Sequence, residues 1–134
     1  MPAKASFNYA IIRVVPRVER GEFANVGAIL FCRTRRFLEA RIDADLRRLA
    51  ALDPDLDLAE VARQLEAIPR VCAGGDAAGP IGRLPQAERF GWLTAPRSTV
   101  IQTSPVHSGI CDDPAAALER LIETMVKRPT DKEI

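Results

Sequence analysis

The stretch from residue 7 to residue 15 constrains the fold of this chain more than any other, because both of its alternating faces are largely apolar. The apolar side chains divide between the faces as Phe7, Tyr9, Ile11 and Val15 on one, and Ala10, Ile12 and Val14 on the other. A strand of this kind is covered on both sides, which places it in the centre of a sheet. Pro16 cannot donate to a strand ladder and ends the strand.

Three more strands are predicted. The second covers about Ala24–Cys32, where the interior Gly27 indicates a bulge or another backbone passing close by. The third covers Phe37–Ile42, in which apolar side chains alternate with charged ones, as in a half-exposed strand. The fourth, at 99–103, is rich in β-branched residues.

Helix-starting residues appear where the period of apolar residues changes from two to about three and a half. They are Asp43 or Asp45, Asp57, Pro85, and Asp113 with Pro114. Pro69 should kink or end the second of these helices. The sequence therefore predicts one two-layer α+β domain over 1–127, with a mixed, mostly antiparallel sheet of about four strands and helices packed on one face. Residues 128–134 should form a frayed tail.

Charge argues against one class of partner. The chain has 134 residues, with 19 lysines and arginines against 18 acidic residues and a net charge of +1. Nucleic-acid binding usually shows as a basic excess, so nucleic acid is not a favoured partner. Six arginines lie between positions 33 and 48, but acidic residues interrupt them, which is typical of a solvated surface.

Cysteine and histidine usage excludes several kinds of site. Cys32, Cys72 and Cys111 lie far apart and are odd in number, which fits neither a disulfide framework nor a metal-binding spacing. His107 is the only histidine, so a zinc site with two imidazoles is excluded. We expect no metal and no cofactor.

Without a signal-peptide pattern or an apolar stretch of membrane-spanning length, we expect a cytoplasmic chain with no membrane partner.

Arg13 is the first candidate functional residue, because it stands on an apolar face of the central strand. A buried guanidinium needs acceptors, and Glu19, Glu22 and Asn25 follow just across the next turn. Arg13, Glu22 and Asn25 could form a polar centre that receives an anionic ligand or a partner's charged group. Alternatively, Arg13 closes a salt bridge that only fixes the turn.

The second candidate is the polar segment from Arg97 to Ser108. Its arginine, hydroxyls and histidine could present donors to a phosphate or carboxylate, and its candidate residues are Arg97, Gln102, Ser104 and His107. Ordinary strand and turn chemistry explains the same residue types.

His107 and Cys111 do not make a convincing nucleophilic pair, since Asp112 and Asp113 oppose thiolate formation. The glycine-rich stretch at 74–82 follows a helix and lacks the ending of a phosphate-binding loop.

Three short motifs carry a resemblance. They are the strand end Arg13-Val14-Val15-Pro16, the Gly-Glu-x-x-Asn-Val-Gly segment at 21–27, and the pair Ala95-Pro96-Arg97 and Ile101-Gln102-Thr103-Ser104. Over nearly the whole chain, the sequence resembles an uncharacterised bacterial family known only as a domain of unknown function. The resemblance implies no reaction. Because members are often encoded beside proteins resembling HipA-type kinases, it implies a HipA-like kinase as a partner.

Two functions fit these observations. The first is a non-enzymatic interaction or regulatory module whose working surface combines the Arg13 turn with 97–107. The second is an enzyme or binder of a phosphorylated or other anionic small molecule, with Arg13 and Arg97 as charge clamps and Glu22 or His107 as general base. The enzyme predicts that these residues converge in one concave pocket. The oligomeric state is not specified by any of these patterns.

Overall fold

The structure, a computed structural model, describes residues 4–127 and contains a five-stranded antiparallel sheet. The strands are β1 (Ala5–Val14), β2 (Ala24–Cys32), β3 (Phe37–Ile42), β4 (Ile101–Thr103) and β5 (His107–Cys111). Their order is β3-β2-β1-β4, and β5 also pairs with β1. The α+β class is confirmed, and β1 lies in the centre of the sheet as its two apolar faces predicted. The predicted tail at 128–134 lies outside the described residues.

β5 is the strand that the sequence did not predict. It pairs with the first half of β1, from Ala5 opposite Cys111 to Tyr9 opposite His107, while β4 pairs with the second half. Its sequence contains a serine and a glycine and has little strand propensity of its own. Gly109 is required by packing, because a Cβ there would lie 2.5 Å from the Phe7 ring. Pairing with β1, which is a tertiary contact, therefore makes this segment a strand.

The helices begin where the caps predicted. They are α1 (Leu46–Leu52), α2 (Leu58–Ala73), α3 (Gln86–Leu93) and α4 (Pro114–Leu121), and a π-helical turn (Ile122–Val126) extends α4. The side chains of Asp45, Asp57 and Asp113 each accept hydrogen bonds from backbone N–H groups of the first helical turn. Among the described residues, no helix has the length and apolar character needed to cross a lipid bilayer.

Three local expectations need correction. Of the two effects expected of Pro69, a kink or an end, the end does not occur: α2 continues to Ala73, because the missing N–H removes one hydrogen bond while Val71 and Cys72 beyond it are buried in the core. The glycine-rich stretch, expected to be only a connection after α2, contains 3₁₀ turns over Asp76–Arg83. Pro85 caps α3 from the position before its first residue.

Both faces of the sheet are covered, whereas the prediction placed helices on one. On what we call the first face, α1, α2 and α3 pack on β-strand residues such as Ile12, Val14 and Phe31. On the second face, Leu118 and Leu121 of α4 and the π-helical turn pack on residues such as Phe7 and Ile11. Because β1 and β2 are apolar on both sides, each side needs its own cover.

A β-bulge interrupts the pairing of β1 with β2. Ile12 is opposite Gly27, but the next residue, Arg13, is opposite Asn25, so β2 has one extra residue at Val26. Val26 is buried in the core of the first face. Gly27 is needed here because a Cβ would collide with the Arg41 carbonyl oxygen of β3. Both readings of Gly27 from the sequence, a bulge and a close backbone, are confirmed.

Candidate functional site

The bulge places three polar residues side by side across the sheet. Arg13 of β1 is opposite Asn25 of β2 on one side and opposite Gln102 of β4 on the other. In a regular ladder, Val26 would be opposite Arg13, so the extra residue in β2 is what brings Asn25 to this position. We call Asn25, Arg13 and Gln102 the polar row. It lies on the second face, beyond the area that α4 covers.

Arg13 has no counter-ion among the described residues. Its guanidinium carbon lies 4.2 Å from the centre of the Phe23 ring, which is the geometry of a cation–π contact. Its Nε is buried and donates to no acceptor. The side chain as a whole is only half-buried, so part of it reaches the surface, while the buried Nε has no partner among residues 4–127. A buried donor without a partner is destabilising, and it calls for an explanation such as stored strain, a bound water or ion, or a functional role.

The other two members of the polar row are held by backbone carbonyls. Asn25 donates from Nδ2 to the Met125 carbonyl oxygen at 3.0 Å, while its Oδ1 is buried and accepts no hydrogen bond from any described residue. Gln102 donates from Nε2 to the Thr99 carbonyl oxygen at 2.8 Å. The row therefore offers one unsatisfied donor, on Arg13, and one unsatisfied acceptor, on Asn25, on adjacent strands.

Glu22 is not the partner of Arg13. It is exposed, and its Oε1 accepts a hydrogen bond from Nε of Arg20 at 2.8 Å. This hydrogen bond and the charge of Arg20 hold the pKa of Glu22 below its usual value. Arg20 is nearer because a 3₁₀ turn over Val18–Arg20 folds the connection back on itself before Gly21. The predicted ion pair between Arg13 and Glu22 is replaced by a local one.

Arg97 does not join the polar row. Its guanidinium donates to the carbonyl oxygens of Trp92 at 2.7 Å and Leu93 at 3.0 Å, at the C-terminal end of α3, and lies over the Trp92 ring. It borders an apolar groove of about 470 Å³ between α2 and β4, whose other lining residues include Val71 and Ile101 of the first-face core. Arg97 and Arg13 are therefore on opposite sides of the sheet.

Ser104 and His107 have structural contacts. Ser104 is buried; its Oγ accepts from the Ile11 N–H, and its own N–H donates to the Ile11 carbonyl oxygen, both at 2.8 Å. It thus extends the pairing of β4 with β1. His107 is exposed and its ring lies 5.5 Å from that of Tyr9. Tyr9 precedes Arg13 by four residues, about 13 Å along an extended strand, so His107 does not reach the row.

The cysteines do not form a reactive centre. Burial and then the neighbouring Cys32 raise the pKa of the Cys111 thiol, with further contributions from Asp112 and Asp113. Burial also raises the pKa of Cys72 to about 12. All three cysteines are free thiols. Residues 4–127 contain no group of three histidine, cysteine or acidic side chains arranged to hold a metal ion.

Two residues of this surface were missed in the sequence. Phe23 is 44% exposed and stacks on Arg13, and Met125 is 44% exposed and adjoins Asn25 through its carbonyl. A large aromatic residue in an otherwise polar connection was the available signal for Phe23. Met125 has no such signal, because it continues the helical spacing of Leu118, Leu121 and Ile122 and would be expected on the buried side of the last helix. The π-helical turn over Ile122–Val126 changes that period.

The geometry defines an α+β domain with an open polar and aromatic patch on its sheet. A family model described as "Protein of unknown function (DUF3037)" matches residues 9–126. The chain belongs to this family. No curated protein and no solved structure gave a significant match.

Proposed function

We propose that the chain is a cytoplasmic, non-enzymatic interaction or regulatory module that binds a carboxylate of a partner protein at the polar row. The observation that carries this proposal is Arg13, an arginine with a buried, unsatisfied Nε and no counter-ion among the described residues. The alternative of a purely structural Arg13 requires a partner within the fold, and Glu22, the predicted one, is bonded to Arg20.

A carboxylate suits this position for two reasons. An arginine can offer parallel N–H donors to a carboxylate, and Nε is one of the donors used in that bidentate geometry. Contact with Phe23 orients the guanidinium plane before a ligand arrives, which lowers the entropy lost on binding. The side-chain amides of Asn25 and Gln102 flank the guanidinium and can bond the groups next to the carboxylate.

The open shape of the patch favours a protein over a small molecule. Small-molecule sites are concave and enclose most of the ligand. Arg13 does not line any of four grooves that residues 4–127 form elsewhere on the surface, and Arg97, His107 and Glu22 do not converge on it. Exposed phenylalanine, methionine and arginine together are typical of protein interfaces.

The HipA-like kinase implied by the family resemblance is the first partner to test. Binding of the purified kinase to the wild-type chain should be measured by calorimetry and compared with Arg13→Met and Arg83→Met. Arg83 is an exposed arginine that forms an exposed ion pair with Asp76 and no other within residues 4–127, so it controls for loss of one positive charge. We expect Arg13→Met to weaken binding at least about tenfold, as loss of a charge-assisted pair does, and Arg83→Met to leave it unchanged. Equal binding by all three proteins would reject this use of Arg13.

A small anionic ligand is the second candidate, because the same unsatisfied guanidinium could bind one. Titration with inorganic phosphate and with acetate, followed by the NMR signal of the Arg13 Nε–Hε group, separates the two functions. The module predicts only weak, millimolar binding of either ion. Saturation at micromolar phosphate, abolished in Arg13→Met, would support the small-molecule binder.

A further inference from the structure

β3 forms one edge of the sheet and has an unpaired side. It pairs only with β2, with Gly27 opposite Ile42 and Cys32 opposite Phe37. Edge strands expose a row of N–H and C=O groups that can pair with another chain. Folds usually protect such an edge with charged side chains, a proline, a bulge or a covering segment, and of these β3 has the charged side chains Glu39 and Arg41. β3 contains no proline, and within residues 4–127 no other strand pairs with its free side.

The register shows which backbone groups point outward. Asp43 donates its N–H to the Val26 carbonyl oxygen at 2.7 Å, so Asp43 and Val26 are a hydrogen-bonded pair. Because such pairs recur at every second residue, Arg41, Glu39 and Phe37 also bond β2. The N–H and C=O groups of Leu38, Ala40 and Ile42 then point away from β2. No other hydrogen bond occupies them among the described residues.

The sequence of β3 is complementary to itself in the antiparallel direction. If two copies pair with Ala40 opposite Ala40, Leu38 is opposite Ile42 and Glu39 is opposite Arg41 of the other copy. The pairs that can exchange hydrogen bonds are then those of Leu38, Ala40 and Ile42, whose polar backbone groups point outward. On the second face of the sheet, Glu39 of each copy would lie opposite Arg41 of the other copy, and opposite charges stabilise such cross-strand pairs.

The side chains at this edge are available for such pairing. Glu39 is exposed and makes no ion pair with any described residue. Arg41 bonds Glu119 through Nη1 alone, and half of its side chain is exposed, which leaves its other nitrogens for Glu39 of a second copy. Leu38, Ala40 and Ile42 face the covered side of the sheet, so pairing would extend the first-face core across the junction.

The surroundings leave room for a second edge. Two grooves run along β3 beside α2 and share Ala40 and Pro69 as lining residues. Along α2 they are bordered by the small residues Ala62 and Ala73. A two-fold axis perpendicular to the sheet would place the second α2 on the same face, opposite these small side chains.

We propose that two copies of this chain pair antiparallel through β3 about Ala40, forming one continuous sheet across a symmetric dimer. The dimer uses the edge of the sheet, whereas the polar row lies on the second face near the other edge, so each copy keeps its row accessible. The interface is isologous, with the same strand contributed by both copies.

Charge reversal tests the register directly. In Glu39→Arg, each copy would place arginine against Arg41 of the other, and in Arg41→Glu, each would place glutamate against Glu39. We expect the wild-type chain to sediment as a dimer and each variant alone to dissociate with a dissociation constant raised at least about tenfold. Mixed in equal amounts, the two variants restore opposite charges at both positions and should form a heterodimer, visible by native mass spectrometry.

Ala40→Pro gives a test that does not depend on charge. The proline removes an N–H that points away from β2, so the β2–β3 ladder keeps its hydrogen bonds while the dimer loses the two central ones, one from each copy. We expect a monomer with an unfolding midpoint in urea close to that of the charge variants. A wild-type chain that is monomeric at the highest concentration reached, even if it binds an extended peptide at this edge, would overturn the proposal. So would a dimer that the charge variants and Ala40→Pro leave intact.

Discussion

Arg89 and Arg13 both extend into covered parts of the molecule, but only one of them is satisfied there. Arg89 of α3 is 8% exposed and donates to the carbonyl oxygens of Leu84, Val71 and Cys72 at 2.6 to 2.9 Å. Arg13 has an aromatic ring beside it and no acceptor for its Nε. Arg89 therefore holds the C-terminal end of α2 in place through its hydrogen bonds. Arg13 keeps an Nε–H donor that can bond a group from outside the described residues.

The largest effect should come from removing the satisfied arginine. Arg89→Met removes the side-chain donor from three carbonyl oxygens, of which those of Val71 and Cys72 are buried, so we expect a loss of about 2–4 kcal/mol in the free energy of unfolding. Urea unfolding measures it. Arg83→Met, at a side chain that is 77% exposed, should change stability by less than about 0.5 kcal/mol. Similar losses in both variants would contradict the structural role of Arg89.

A paired glycine substitution probes how closely Arg89 is surrounded. Gly74 and Gly75 both have positive φ, so an alanine at either position should cost about 1–3 kcal/mol of backbone strain. Only at Gly74 would the added Cβ approach the guanidinium, to 2.9 Å from Nη1, whereas at Gly75 it meets nothing within 4 Å. Urea unfolding should therefore show a larger loss for Gly74→Ala. Equal losses would mean that the guanidinium moves aside freely.

Arg97 should give an intermediate effect, because it bonds carbonyls as Arg89 does but at the surface. Arg97→Ala removes donors from the last turn of α3, and we expect a loss of about 1 kcal/mol in the free energy of unfolding. Since Arg97 stacks on Trp92, the only tryptophan, the fluorescence of the native state should change as well. Unchanged fluorescence would argue that the two side chains are apart in solution.

Arg13 should matter least for stability. Arg13→Met keeps an apolar stem against Phe23 and removes a donor that is unsatisfied, so we expect a change below about 1 kcal/mol in either direction. The same urea experiment measures it. A loss of 3 kcal/mol or more would instead make Arg13 a structural residue like Arg89 and would weaken the proposed function.

The smallest expected effect is a change in the pKa of Glu22, which shows whether Glu22 pairs with Arg20 or with Arg13. In the folded chain the pKa of Glu22 is lowered, so the ion pair stabilises the fold at pH values above the pKa that Glu22 has in the unfolded chain. This contribution is lost as the pH falls through the lower pKa of the folded chain. An NMR titration should show the Glu22 pKa returning toward its ordinary value in Arg20→Ala. In Arg13→Met the pKa should stay where it is in the wild-type chain. A shift in the second variant would restore the pairing that the sequence suggested.

The sequence was most informative where structure depends on neighbours along the chain. The strand bounds Ala24–Cys32 and Phe37–Ile42 agree with the structure, as do the caps at Asp57 and Asp113. It was least informative about partners of polar side chains. Glu22 and Arg97 bond groups two to five residues away, whereas Ser104 bonds distant Ile11, and a polar residue type is compatible with local and distant partners alike.

What the sequence determined and what the tertiary structure decided differ in the distance along the chain over which the interactions act. Alternating apolar residues and capping side chains act over a few residues, so they determined the α+β class, the central strand and the helix starts. The bulge at Val26, the pairing of β5 and the cover on the second face depend on contacts between distant segments. Those contacts placed Asn25 and Gln102 beside Arg13 and separated Arg97 from it, because a shift of one residue in register changes the face that a side chain occupies.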